Sequence, residues 1–135
     1  MSGKVRSSRA VILLVAAALV LGACGPKKVS LAVTMTDFKF EPASWEVPAG
    51  AEVTVTLTNS GSVLHEWVLL KQGYIVTPPF SDEKDGANVL EDHDVEAGQT
   101  STFTFTAPTE AGSYRVVCGV PAHIESGMVG TFVVK

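Results

Sequence analysis

Cysteine is scarce in this sequence, with only two in 135 residues, so a disulfide framework cannot hold the fold together. Basic residues are a minority: 10 lysines and arginines face 14 acidic residues, for a net charge of −4. This balance argues against a nucleic-acid binder that works by neutralising phosphates. Charged residues make up only 18% and apolar residues 46%, which argues against disorder and predicts one packed domain.

The N-terminal segment lacks an apolar run of the roughly 20 residues that a transmembrane helix needs. Its apolar run spans residues 10–23 and follows Lys4, Arg6 and Arg9, with no acid before it. This pattern is typical of a secretory signal, and a short uncleaved membrane anchor is the alternative. The run ends Leu21-Gly22-Ala23-Cys24, which resembles a bacterial lipobox, in which the cysteine is lipidated and begins the mature chain. An ordinary signal peptide followed by a chance cysteine is the other interpretation.

Three segments are expected from this reading of the N-terminus. They are a lipoprotein signal peptide over residues 1–23, a lipidated tether over 24–28 and a folded domain over 29–135. Cleavage before Cys24 leaves a chain with 7 basic and 14 acidic residues. We expect it to be exported and anchored by its lipid, on the outer face of the cytoplasmic membrane, in the periplasm or at the cell surface.

Apolar and polar residues alternate along most of the chain after residue 28, which predicts β-strands. In residues 53–58 two valines and a leucine alternate with three threonines, and residues 102–106 repeat the pattern with two phenylalanines. Further strands are predicted over 29–35, 63–70, 113–118 and 128–134. No sustained helical stripe follows residue 28. The mature domain is therefore predicted to be all-β, either a sandwich or a barrel.

Residues 71–99 interrupt this alternation, with Pro78-Pro79 and seven acidic residues. We interpret them as a solvated, partly helical connector, with a functional loop as the alternative. His93 lies within Glu91-Asp92-His93-Asp94. A solvated acidic loop is favoured there over a second, weak metal site.

Four potential metal ligands stand out in the mature chain: His65, Cys118, His123 and Met128. Three of them form the spacing Cys-x4-His-x4-Met between two predicted strands. Taken singly, each residue is more simply read as core packing or as an ordinary histidine. Together, a thiolate, two imidazoles and a weak axial thioether describe a blue-copper electron-transfer site. Zinc fits less well, because neither its structural nor its catalytic sites favour a thioether.

The same residues resemble the cupredoxins, small blue copper proteins that include plastocyanin, azurin and auracyanin. Residues 114–134 match the signature Tyr-x3-Cys…His…Gly-Met-x-Gly, and the context Leu64-His65-x-Trp67-Val68-Leu69 is most like auracyanin. The resemblance covers 29–135. It implies a Greek-key β-sandwich of about eight strands that holds one type 1 copper, cycling between Cu(I) and Cu(II).

This resemblance also assigns roles to the four residues. It implies equatorial ligands His65, Cys118 and His123, an axial Met128, and an electron port where His123 emerges through an apolar patch. The candidate patch residues are Val63, Leu64, Val120, Pro121, Ile124 and Met128. Two positions depart from the family. Glu66 stands where many members have Asn and is expected to face solvent, with a bond to a backbone N–H as the alternative; Gly119 stands where a hydroxyl residue is common.

The expected function is one-electron transfer between redox proteins, not catalysis. The expected partners are a cytochrome or quinol-oxidising complex on one side and an oxidase or photosynthetic reaction centre on the other, in transient contact near His123. The membrane is reached through the lipid on Cys24, no nucleic acid is involved, and the protein is expected to be a monomer. Copper storage or delivery is the alternative function. An enzyme is not expected: Ala122 stands where a binuclear copper centre needs a second Cys, and three histidines are too few for a multicopper oxidase.

Overall fold

The computed structural model describes residue 1 and residues 25–135. Its residues 25–135 contain nine strands, a four-residue helix α1 (Asp82–Asp85) and a 3₁₀ turn (Gly86–Asn88). The strands are β1 (Lys28–Thr36), β2 (Lys39–Glu41), β3 (Ser44–Val47), β4 (Glu52–Asn59), β5 (His65–Leu70), β6 (Val89–Val95), β7 (Thr100–Thr106), β8 (Gly112–Val117) and β9 (Val129–Val134).

The proposed leader cannot be compared with this structure. Apart from residue 1, the expected signal peptide and Cys24 lie outside the described residues, so the division of the chain into segments stays a prediction. Between residues 25 and 135, no helix combines the length and the apolar character that a membrane crossing requires.

The strands form two sheets that enclose one main core. One sheet has the order β2-β1-β4-β7 and the other the order β3-β9-β8-β5-β6. Strands β1 and β4 run parallel, from Lys28 opposite Glu52 to Met35 opposite Asn59. The core cluster takes buried side chains from both sheets. The predicted all-β sandwich is confirmed.

The alternating pattern of β4 explains how it separates core from solvent. Val53, Val55 and Leu57 are fully buried, as the period of two predicts for one face of a strand. The threonines between them face outward and meet the threonines of β7, with 3.0 Å between the hydroxyl oxygens of Thr54 and Thr104. Beneath this sheet, Trp67 of β5 packs against aromatic rings of both sheets, with centroids 5.6–6.4 Å away for Trp45, Phe103, Phe105 and Phe132. Packing around Trp67 in the core thus holds β5, the strand that begins with His65, in position.

The acidic part of the segment 71–99 was predicted wrongly as a connector, because it contains β6. This strand pairs antiparallel with β5, from His65 opposite Val95 to Leu69 opposite Glu91. It is the edge strand of its sheet, where charged side chains oppose pairing with another chain. His93 accordingly lies on a strand and not in a loop: its ring stacks on Phe103 with centroids 3.3 Å apart, and its Nε2 lies 3.1 Å from a carboxylate oxygen of Glu91.

The part of segment 71–99 that precedes β6 is held together by one buried carboxylate. Asp85, at the end of α1, is fully buried and accepts hydrogen bonds from the Tyr74 hydroxyl (2.7 Å) and the Ser81 backbone N–H (2.9 Å). The Lys84 ammonium lies 3.5 Å from the same carboxylate. Asp85 therefore joins Tyr74, Ser81 and Lys84 within the segment between β5 and β6.

Candidate metal centre

Three strand ends meet at one end of the sandwich, and each carries a predicted ligand. His65 is the first residue of β5, Cys118 follows the last residue of β8, and Met128 precedes the first residue of β9. The register of β8 with β9 pairs Val117 with Val129, which places Cys118 and Met128 side by side. The structure thus brings His65 to the C-terminal segment, although about fifty residues separate them in sequence.

The donor atoms of the two histidines and the cysteine converge on one point. Cys118 Sγ lies 3.8 Å from His65 Nδ1 and 3.3 Å from His123 Nδ1. All three atoms lie within 4.8 Å of one another. His65, Cys118 and Met128 are fully buried, and His123 is only 6% exposed. One thiol, two imidazoles and a neighbouring thioether in a dry pocket form a donor set that fits copper.

The loop between Cys118 and Met128 is closed by hydrogen bonds between the ligand residues themselves. The backbone N–H of Cys118 donates to the carbonyl of Met128 (3.2 Å), and that of Met128 donates to the carbonyl of His123 (2.9 Å). The Ser126 hydroxyl and N–H both donate to the carbonyl of Ala122, which has a φ of 70°. These hydrogen bonds link Cys118, His123 and Met128 directly to one another.

Glu66 was predicted to face solvent, and this prediction was wrong. Its backbone N–H donates to Cys118 Sγ (3.4 Å), and its carboxyl group accepts the backbone N–H of Gly119. Burial raises the pKa of Glu66 to about 7, and the nearby carboxylates of Asp94, Asp92 and Asp82 add to the effect. Glu66 therefore joins the start of β5 to the segment after Cys118, through a hydrogen bond that it accepts.

Gly119 is the steric counterpart of Glu66. A Cβ at position 119 would overlap Oε2 of Glu66 and would lie 2.7 Å from Cδ1 of Phe80. The absence of a side chain at 119 thus leaves the space that the Glu66 carboxyl group occupies. The two departures from the family pattern are structurally linked.

Burial shifts the pKa values of Cys118 and His123 in the directions that favour their neutral forms. Burial raises the pKa of the Cys118 thiol, although backbone N–H groups of Glu66 and Val120 oppose that shift. Burial lowers the pKa of His123, and the neighbouring His65 lowers it further. Neutral imidazole is the form that binds a metal ion. Burial therefore favours the form of His123 that coordinates a metal, and Cys118 is a thiol that would lose its proton when a metal binds.

The turn between β1 and β2 contributes two contacts that sequence analysis missed. Asp37 Oδ1 lies 3.2 Å from His65 Nε2, and the Phe38 ring meets the His123 ring edge-on, with centroids 5.1 Å apart. Phe38 has a φ of 67°, an uncommon backbone conformation for an aromatic residue. Neither residue belongs to a sequence motif, so no local signal marked the pair.

A third missed residue is the buried Asn59, which organises the loop before His65. Its Nδ2 donates to the carbonyls of Val63 and Val95, both at 2.8 Å, and its Oδ1 accepts the N–H of Gly61 at 2.8 Å. Asn59 thus links the loop before His65 to β6, across 36 residues of sequence, and no local pattern indicates that connection.

The surface around His123 differs in part from the predicted apolar patch. Val63 is 45% exposed and Pro121 is also exposed, whereas Met128 is fully buried and does not belong to the patch. Val120 and Ile124 are half-buried against the core. Phe38, 47% exposed, adds an aromatic ring that the prediction lacked.

Comparison with known proteins identifies relatives along almost the whole chain. A family model described as a cupredoxin-like domain matches residues 9–134. The copper-resistant cuproprotein CopI of Pseudomonas aeruginosa is 28% identical, over 78% of this chain and 76% of that protein. Auracyanin-A of Chloroflexus aurantiacus is 27% identical, over 82% and 86% of the two chains. The crystal structure of a reduced auracyanin from Roseiflexus castenholzii superposes with a TM-score of 0.67 at 26% identity, over 78% and 96%.

Proposed function

This chain belongs to the cupredoxin-like family, and from that premise we propose that it is a type 1 copper protein that carries single electrons between redox partners outside the cytoplasm. Its proposed ligands are His65, Cys118, His123 and Met128, which together would hold one copper ion. A bound copper ion supplies one-electron chemistry by alternating between Cu(I) and Cu(II).

The observation that carries this proposal is the convergence of three buried donor atoms on a backbone that holds them in place. The thiol of Cys118 and the two Nδ1 atoms lie within 4.8 Å of one another. His65 begins β5, a strand whose Trp67 is packed in the core, and the loop from Cys118 to Met128 is hydrogen-bonded to itself. Rigid ligands limit the reorganisation that accompanies each electron transfer. The near-complete burial of the pocket excludes water as a competing ligand.

The proposed route for electrons passes through His123 and the apolar surface around it. Val63, Pro121 and Phe38 are exposed, and the Phe38 ring and the His123 imidazole pack in a T-shaped arrangement. A small apolar contact suits a partner that must bind and leave quickly. We propose a cytochrome or quinol-oxidising complex as the donor and an oxidase or reaction centre as the acceptor. The surplus of acidic residues would steer the protein toward basic partner surfaces.

The proposed cellular location depends on the N-terminal sequence alone. The lipobox-like segment ending in Cys24 supports cleavage before that residue and attachment of a lipid to its sulfur. We expect wild-type protein in the membrane fraction, with a tryptic N-terminal peptide whose mass includes the lipid. The variant C24A is expected to lack that mass. An N-terminus that begins at another residue would contradict the assignment.

Copper storage or delivery is the second candidate function, and the similarity to a protein named for copper resistance favours it. The two functions require different behaviour of the same pocket. A carrier keeps its ion through many redox cycles, whereas a delivery protein releases Cu(I) to an acceptor. Complete burial of His65, Cys118 and Met128 favours retention, so electron transfer is the function that we propose.

The experiment that tests the proposal is a spectroscopic and kinetic comparison of wild-type protein with the variant C118S. After addition of Cu(II), the wild type is expected to show an intense thiolate-to-copper absorption band that disappears on reduction. C118S retains a similar volume but lacks the thiolate, so it is expected to show no such band. Rapid electron self-exchange together with slow loss of Cu(I) to a chelator supports a carrier. The reverse combination supports copper delivery, and a coloured C118S protein would refute the ligand assignment.

A further inference from the structure

A carboxylate from the β1–β2 turn contacts the side of His65 that faces away from the ligand pocket. The Nδ1 atom of His65 faces Cys118, and its Nε2 atom lies 3.2 Å from Oδ1 of Asp37. We propose that Asp37 is a positioning residue that fixes the tautomer and orientation of His65 and strengthens it as a ligand of the oxidised ion. This inference rests on the proposed function, because it concerns the same pocket.

The Asp37 carboxylate is itself held in place by the loop that leads into β5. Its Oδ1 accepts the backbone N–H of Ser62 at 2.9 Å, and its Oδ2 accepts the Ser62 hydroxyl at 2.7 Å. These two bonds orient the carboxylate toward His65. Because both partners of Asp37 lie in the segment 62–65, the turn and the ligand strand are joined as one unit.

Gly61 makes this arrangement sterically possible. A Cβ at position 61 would lie 2.5 Å from Oδ1 of Asp37 and equally close to Nε2 of His65. Any side chain at this position would press on both partners of the hydrogen bond. The absence of a side chain therefore lets the backbone at 61 pass close to the Asp37–His65 pair.

The contact distinguishes the two imidazoles of the pocket. Among residues 25–135, Asp37 is the only acidic residue with a carboxylate oxygen within 4 Å of a ring nitrogen of His65 or His123. A ligand histidine that donates its second N–H to a carboxylate has a fixed tautomer and is a more basic ligand. The negative charge of Asp37 also lies directly beside His65, 3.2 Å from its Nε2. Both effects favour the more highly charged Cu(II) over Cu(I).

Removal of the carboxylate charge is therefore expected to weaken Cu(II) binding more than Cu(I) binding. Loss of such a partner typically costs 10–100-fold in metal affinity. If the difference between the two oxidation states is about tenfold, the reduction potential rises by about 59 mV, the value of a tenfold change for one electron. The variant D37N tests this, because it keeps the shape of the side chain and one carbonyl oxygen while losing the charge.

The matched control is E125Q. Glu125 is an exposed acid two residues from His123, and E125Q removes one negative charge near the pocket without touching His65. We expect the potential of E125Q to move by less than a third of the D37N shift. S62A, which removes one of the bonds that orient Asp37, is expected to shift the potential in the same direction as D37N but by less. Equal shifts in D37N and E125Q would overturn the proposal, since any nearby charge would then have the same effect.

A second readout needs no copper and separates this inference from the proposed function. In the ¹⁵N-labelled metal-free protein, NMR reports which ring nitrogen of His65 carries the proton. The wild type is expected to carry it on Nε2, hydrogen-bonded to Asp37. D37A, which leaves Nε2 without this acceptor, is expected to shift the signal toward a mixture of tautomers. If wild type and D37A give the same tautomer, the positioning role is refuted. If the tautomer shifts but the wild type never forms the copper–thiolate band, the proposed function fails while the Asp37–His65 contact stands.

Discussion

The pairing of Glu66 with Gly119 leads to a prediction about the variant G119A. The added methyl group would overlap Oε2 of Glu66 and come within 2.7 Å of the Phe80 ring. The Glu66 carboxyl group would have to move and would lose the N–H of Gly119, which it accepts in the wild type. Gly119 does not have a positive φ, so this steric conflict is the main cost of the substitution.

The size of the effect follows from two opposing contributions. Inserting a methyl group into a packed site typically costs about 1–3 kcal/mol. Alanine in place of glycine restricts the unfolded chain and returns about 0.4–1 kcal/mol. We therefore expect G119A to lower the free energy of unfolding by about 1–2 kcal/mol. In the background E66A the main clash is gone, and the same substitution is expected to cost about 1 kcal/mol less.

The assay is a double-mutant cycle by urea denaturation of the metal-free protein at constant pH, with wild type, G119A, E66A and the double variant. G86A is the control, because a Cβ at Gly86 has no heavy atom within 4 Å and that glycine lacks a positive φ. G86A is expected to be neutral or slightly stabilising. If the effects of G119A and E66A are additive within about 0.3 kcal/mol, the two residues are independent and our reasoning is refuted.

Three further substitutions test other parts of the structure. N59A removes the hydrogen-bonding partner of two carbonyls and of the Gly61 N–H, and we expect a loss of at least 2 kcal/mol in urea denaturation; a loss below 1 kcal/mol would contradict this. D85N is expected to cost about 1–3 kcal/mol at pH 7. Burial alone would raise the pKa of Asp85, but hydrogen bonds from Tyr74 and Ser81 and the Lys84 ammonium lower it. The contribution of Asp85 to the free energy of unfolding is therefore present above a pH of about 4, and it is lost as the pH falls through the folded-state pKa. The stability of D85N, measured as a function of pH, should therefore lack this acid-dependent part, and a wild-type-like profile would refute the assignment. F38N replaces an exposed ring at positive φ by a residue that tolerates that conformation, so stability is expected to be unchanged or higher while electron self-exchange slows; unchanged exchange would remove Phe38 from the proposed electron route.

The C-terminal half of the candidate centre could be predicted from the sequence. Cys118, His123 and Met128 lie within one short segment between two alternating strands, and such spacing restricts them to one loop. The paired threonine faces of β4 and β7 were predictable for the same reason, since their pattern depends only on the two-residue period of a strand. Patterns of this kind can be recognised from the sequence because each involves residues that are only a few positions apart.

The acidic strand β6 could not be predicted from its local sequence pattern. Its sequence carries four ionisable side chains in seven residues, which argues against a strand when considered alone. In the structure it lies at the edge of a sheet and gains its hydrogen bonds from β5, so pairing outweighs its low intrinsic preference. The same edge position brings Asp92 and Asp94 beside Glu66 and raises the pKa of that residue.

The sequence by itself determined the fold class, the family resemblance and the set of donor residues, because these depend on residue types and on their periodicity. Only the tertiary structure decided what surrounds the donors: Asp37 against His65, Phe38 against His123, and Glu66 in the space left by Gly119. Each of these contacts joins residues from separate strands or turns, most of them dozens of positions apart. No pattern along the chain encodes such a distance, since it is set by how the two sheets bring their strand ends together.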